Sequence, residues 1–143
     1  MEPIVVEFDV RASQEHAFDV WTSRASMWWP RSHTITEGPD LTVVFEPFAG
    51  GRIYERGSEG SEHEWGEVVI WEPPARVGYL WHLFVDRSEA TEITVTFTET
   101  DNGSRVRLVQ TGFEKLGAEV GTERRRRTSN AWLELTALYR EVI

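Results

Sequence analysis

The chain opens with Ile4, Val6, Phe8 and Val10 on one parity and Val5, Glu7 and Asp9 on the other, which predicts a half-buried strand. Ser13 then suits a helix N-cap, with Glu15 in the first turn, where the helix dipole favours a negative charge. Ala17, Phe18 and Trp21 follow at helical spacing and predict a helix over 14–22. A second helical piece over 23–29 stops before Pro30. The period then becomes two. Strands are expected near 34–38, 41–46, 51–56, 63–71, 76–84, 91–100 and 104–111. Gly38-Pro39-Asp40, Pro47 to Gly51, Gly57 to Glu62 and Pro73-Pro74 separate them, and Asp101-Asn102-Gly103 is a strong hairpin turn.

Near the end, Ala131, Trp132, Leu135, Leu138, Tyr139 and Val142 recur at intervals of three and four. They predict one helix from about Lys115–Ala118 to Val142, about 40 Å long at 1.5 Å per residue. With no internal repeat and no linker, residues 1–143 read as a single domain. Each strand has one apolar face to hide and the last helix has one apolar stripe to offer. The economical arrangement is α+β: a strongly curved antiparallel sheet of six or seven strands around a long C-terminal helix. Two short helices after the first strand would close one end. Curvature holds the middle of such a sheet away from the helix, leaving room for a cavity.

Composition sharpens that picture. Seven Trp, seven Phe and three Tyr in 143 residues either build a bulky core or line a ligand cavity, and seven Trp together favour a large pocket. The net charge of −9 argues against nonspecific binding to nucleic acid or to an anionic membrane surface. The absence of cysteine excludes disulfides, thiolate metal sites and a cysteine nucleophile. No basic, apolar leader and no membrane-length apolar run is visible, so a cytoplasmic location is expected.

Trp28, Trp29, Phe48, Tyr54, Trp65, Glu67, Tyr79, Trp81, Phe97, Phe113, Arg127 and Trp132 are the cavity candidates. If strands 76–84 and 91–100 are neighbours, Val77, Tyr79 and Trp81 share a face with Ile93, Val95 and Phe97. Trp132 approaches from the helix. Trp28 and Trp29 are adjacent and cannot face the same way, which suits a lid over the cavity mouth or an exposed partner surface.

His16, His33, His63 and His82 are scattered, without metal-ligand spacing, and alternation sets Glu64 opposite Glu67, so no metal and no cofactor are expected. No Gly-x-Ser-x-Gly elbow is present, and Gly50-Gly51 is too short for a phosphate loop. Any enzyme chemistry would rest on polar groups inside an apolar cavity, with Tyr54, Glu67, Tyr79 and Arg107 as the candidates and His82 as a weaker general base. Arg124 to Arg127 sweep around the helix, so one of them should reach the cavity mouth and could recognise an anionic group. The alternative is a solvated run paired with Glu119 and Glu123.

Gly66-Glu67-Val68, then Trp71-Glu72-Pro73-Pro74-Ala75-Arg76-Val77 and Trp81, resemble the SRPBCC or START-like superfamily. The branch is that of the C-terminal domain of the heat-shock-protein-90 ATPase activator. Ala17-Phe18, Gly50-Gly51-Arg52, Thr94 to Phe97, Val106 to Phe113 and the late Trp132 add to the likeness, which spans nearly the whole chain. Ala131 stands where the family usually has glycine before that Trp. The resemblance implies a helix-grip fold, found in lipid carriers, hormone binders, polyketide cyclases and chaperone regulators, so the fold alone does not assign a function.

Three functions follow as expectations. The first is binding of a small hydrophobic or aromatic molecule, with or without an anionic group, between sheet and C-terminal helix. The second is cofactor-free cyclase, aromatase or hydrolase chemistry in the same cavity. The third is a chaperone-regulator-like interaction module, disfavoured because the chain has no room for the activator's separate chaperone-binding domain. A homodimer is left open by the sequence.

Overall fold

A computed structural model describes residues 1–143. Strand β1 (Ile4–Val10) leads into helix α1 (Gln14–Trp21). Six further strands follow: β2 (Thr42–Phe45), β3 (Arg52–Arg56), β4 (Glu62–Glu72), β5 (Arg76–Trp81), β6 (Thr91–Thr100) and β7 (Gly103–Thr111). Helix α2 (Ala118–Val142) closes the chain. All seven strands form one sheet in the order β1-β7-β6-β5-β4-β3-β2, every pair antiparallel. This is the curved sheet around a C-terminal helix that the apolar pattern requires.

Local chemistry explains the first turn of α1. The Ser13 side chain accepts the His16 amide, capping a helix end that otherwise leaves its first N–H groups unsatisfied. Val77 pairs with Val95 and Tyr79 with Ile93, so those side chains share the inner face. There Phe97, Val106 and Leu108 join Trp132, Leu135 and Tyr139 of α2 in one buried core.

The observed elements depart from the sequence pattern at four places. The piece over 23–29 is only a 3-10 turn at Ala25–Met27, with another at Arg31–His33. Residues 34–38 form no strand, because the Glu55 carboxylate captures the Ile35 and Thr36 amides at 2.6 and 3.0 Å. Strand β5 ends at Trp81 instead of 84. The His82 amide donates to the Trp65 carbonyl at 2.7 Å and the chain turns, with the Val85 amide on the His82 carbonyl. Glu64 and Glu67 share the outer face, both bonded to Arg87. A bulge brings that about: the β3 partner of Glu64 is Tyr54 and that of Gly66 is Ile53, so Trp65 is an extra residue that resets the alternation. Gly66 is required there, since a Cβ at this position would collide with the Leu80 carbonyl.

Glu55 is the fold's one fully buried carboxylate. Burial opposes its charge. The Ile35 and Thr36 amides, the Thr36 hydroxyl and the Trp65 indole (2.9 Å) all donate to it and together hold its pKa below the ordinary glutamate value. A depressed folded pKa means stability that is complete above the unfolded glutamate pKa and is lost as pH falls through the folded value. Glu55→Gln turns an amide NH2 toward one pair of these donors. It should cost about 2–3 kcal/mol at pH 7 and flatten the acid limb of stability against pH, as urea melts between pH 3 and 7 would record.

Candidate functional site

Aromatic rings fill the middle of the grip. Trp21 stacks on Trp132 at 6.0 Å between centroids, and Trp28 and Tyr139 close against Trp21 at 5.0 Å each. Each buried indole donor here, and the Tyr139 hydroxyl, has an acceptor. The Trp21 indole donates to the Tyr79 hydroxyl (3.2 Å), Trp28 to the Val20 carbonyl (2.9 Å), Trp132 to the Gln110 amide oxygen (2.7 Å) and Tyr139 to the Ala17 carbonyl (2.8 Å). No buried polar side-chain atom lacks a partner. The interior is therefore a satisfied core with no polar group free for chemistry. Burial pushes the Tyr79 phenol upward in pKa, against the weaker pull of the Trp21 hydrogen bond, so Tyr79 stays protonated at neutral pH.

Of the hollows on the molecule, the one lined mainly by apolar side chains lies at one end of the grip. A cavity of about 460 Å³ opens between α2, the β5–β6 loop and the 3-10 turn that follows Trp29. Its position on α2 follows from helical geometry. Arg124, Arg127, Thr128, Ala131, Trp132 and Leu135 all line it, at spacings of three, four, seven, eight and eleven from Arg124, which is one helix face. Trp29 and Trp81 form the facing wall, 5.6 Å apart between centroids and edge to face. Trp65 backs both, at 5.4 and 5.8 Å, while the edge of Trp29 meets Trp132 at 6.3 Å. The result is three indole walls braced by a fourth.

The remaining wall is Leu83, Phe84 and Val85 of the β5–β6 loop. Phe84 is 61% exposed and holds a φ of +71°, a conformation costly for a residue with a Cβ. The loop is pinned from the outer face. His82 is buried with Nε2 3.0 Å from Glu64, and Arg87 bonds both Glu64 and Glu67.

The rim is polar. Of the four successive arginines, Arg124 pairs with Glu89 (3.1 Å), Arg126 with Glu123 (2.6 Å), and Arg125 donates to the Glu2 and Pro3 carbonyls. Arg127 has no hydrogen-bonded or ion-paired partner within the chain. His33 stands across the mouth with Nε2 3.4 Å from the Glu134 carboxylate, while its carbonyl accepts the Trp29 indole at 2.9 Å. No cluster of His and acidic side chains has the geometry to hold a metal ion.

The twelve candidates sort into four places. Trp29, Trp81, Arg127 and Trp132 line the cavity, with Trp65 directly behind. Trp28, Tyr79, Phe97 and Phe113 belong to the closed core. Tyr54 is stacked under Arg52, at 4.2 Å, and bonded by Arg56 at 2.7 Å, while Glu67 bonds Arg87 on the outer face. Phe48 sits in the β2–β3 loop, 54% exposed. Arg107 pairs with Glu7 at the sheet surface. Cavity residues outside those twelve candidates are His33, Leu83, Phe84, Val85, Arg124, Thr128, Ala131 and Leu135; Arg124 belongs to the arginine run of which one member is expected at the mouth. The α2 members were accessible from sequence, because they share the helical phase of Arg127 and Trp132. The loop members were hidden by reading β5 three residues too long.

Comparison with known proteins agrees with this fold. The structure of an anthrahydroquino-γ-pyrone synthase, Txn09, in complex with a ligand is 32% identical. The match covers 100% of this chain and 97% of that one, with a TM-score of 0.66. MLL2253 from Mesorhizobium loti is 19% identical over 98% of this chain and 95% of its own, with a TM-score of 0.71. DynU16, from the dynemicin biosynthetic locus, is 15% identical with a TM-score of 0.70, and the match spans 99% of this chain but 46% of that larger one. No curated protein matches the chain. No helix is long and apolar enough to cross a membrane. The family described as activator of Hsp90 ATPase homolog 1-like protein matches residues 11–136, and the chain, with its curved sheet around a C-terminal helix, belongs to that family.

Proposed function

We propose that this protein binds a flat aromatic molecule carrying an anionic oxygen, held among Trp29, Trp81 and Trp132 with its charge toward Arg127. The observation that carries this reading is the apolar, three-indole cavity of about 460 Å³ with one uncommitted guanidinium on its rim. Flat rings gain both area burial and ring-to-ring contact from such walls, whereas a flexible saturated chain gains only the first. The full-length likeness to a γ-pyrone synthase supports an aromatic, polyketide-like ligand. That same likeness favours a second reading, cofactor-free ring closure in this cavity.

Native mass spectrometry of freshly purified protein, followed by denaturing extraction, tests the ligand class. One planar aromatic acid or phenol per chain, able to rebind, is the expected result. A saturated lipid in its place would overturn the reading. Arg127→Ala separates charge from shape. It should weaken 2-naphthoate about 5-fold, consistent with roughly 1 kcal/mol for a solvent-screened contact, while 2-naphthamide stays within twofold in titration calorimetry. Equal losses for both ligands would reject the anion contact.

A further inference from the structure

We infer that the cavity is built for proton removal from a bound aromatic or enolisable molecule, with His33 as general base, Glu134 as its positioning residue and Arg127 receiving the developing oxyanion. The inference rests on the binding reading above and adds a reaction to it. Three observations meet at the mouth. His33 lines the cavity and its Nε2 lies 3.4 Å from Glu134. With the proton on Nε2, the ring donates to that carboxylate and the Nδ1 lone pair is left to accept a proton. No protein group bonds Nδ1.

The imidazole is also held in place. The His33 amide donates to the Pro30 carbonyl at 3.1 Å, its carbonyl accepts the Trp29 indole, and its ring meets the Trp29 ring edge to face at 6.4 Å. A cavity wall thus fixes the base, as general-base catalysis requires. Arg127 lines the same cavity and makes no close ion pair, its charge reaching only Glu123 one turn away, whereas Arg124 is held by Glu89. Glu134 is the charged group in contact with the imidazole, and Arg124 and Arg127 are the charged side chains of the cavity lining. Arg127 is exposed on the rim, so its attraction for the oxyanion is solvent-screened and modest.

For a ketone, Nδ1 takes a proton from the carbon beside the carbonyl. The C–H electron pair forms the enolate double bond and the carbonyl π pair moves onto oxygen facing Arg127; the enolate carbon then adds to a second carbonyl of the same molecule, whose π pair moves onto its own oxygen, and that alkoxide takes the proton back from the imidazolium. Protons and electrons balance without an oxidant or reductant. The interior tyrosines and Glu55 take no part, because their polar atoms are already committed.

5-Nitrobenzisoxazole isolates this step. It is flat, and loss of its C3 proton forms a nitrile as the N–O bond breaks and the electron pair leaves on oxygen as a coloured phenolate. The full chain should quench its tryptophan fluorescence saturably with this probe and release phenolate with saturation kinetics. His33→Ala should lower kcat about 100-fold while the dissociation constant from quenching stays within twofold, and added imidazole should restore part of the rate. Glu134→Gln, at an exposed position, should lower kcat several-fold with KM unchanged. Saturable quenching without turnover, or turnover indifferent to His33→Ala, would overturn the inference while leaving the binding reading intact. Absence of saturable quenching would bring down both.

Discussion

Trp132→Ala should destabilise the domain by about 3–5 kcal/mol, near the upper end of what a single core truncation does. Trp132 is 2% exposed, stacks on Trp21 at 6.0 Å and meets the edge of Trp29 at 6.3 Å. Truncation leaves a void between sheet and helix. It also strands the Gln110 amide oxygen, which now accepts the Trp132 indole at 2.7 Å while the Gln110 NH2 donates to Thr91 at 2.9 Å. A buried acceptor without a donor costs about 1–3 kcal/mol on its own account, so this part of the loss does not depend on packing. Urea melts should record the loss, with a thermal midpoint lower by about 10–17 °C. A loss under about 1 kcal/mol would mean that Trp132 is not the keystone of the core.

The second large effect concerns binding alone. Ala131 is half-buried on the cavity face of α2, next to Trp132. Ala131→Trp directs a fourth indole into space that now stands open, so it fills the cavity without displacing packed core atoms. Binding of 2-naphthoate should weaken by at least 30-fold, about 2 kcal/mol, while the urea midpoint stays near that of the wild type. Trp132→Ala loses stability and distorts the site together; Ala131→Trp should separate the two. Retained affinity in a stably folded Ala131→Trp protein would place the ligand elsewhere.

The architecture was legible because the signals that set it are local. Alternation over Thr91–Thr98 and three-and-four spacing from Ala131 to Val142 each depend only on which residues hide a face. The segment at 34–38 shows where local reading stops. Its alternation is real, but its amides are taken by Glu55, twenty residues away in sequence, and no periodicity reports a side chain competing for backbone donors. The bulge at Trp65 has the same character. One extra residue moved Glu67 outward and put it on Arg87.

The site was half legible for a related reason. Aromatic count and strand parity identify residues that point inward, and Trp29, Trp81 and Trp132 were found that way. They do not say which inward rings are sealed in core and which face open space. That depends on how Trp21, Trp28 and Tyr139 fill the middle of the grip, a three-dimensional packing outcome. Trp28 and Trp29 make the contrast plain. Adjacent in sequence, they diverge as neighbours on a tight turn must: Trp28 enters the core and donates to Val20, while Trp29 walls the cavity. His33 escaped because its significance comes from Glu134, 101 residues along the chain.

The most direct test of the central claim is a crystal structure of the protein grown with 2-naphthoate. The account predicts the naphthalene ring between Trp29, Trp81 and Trp132, with a carboxylate oxygen about 2.7–2.9 Å from the Arg127 guanidinium. A ring bound on the outer face of the sheet, or the cavity empty beside a ligand ordered elsewhere, would contradict it.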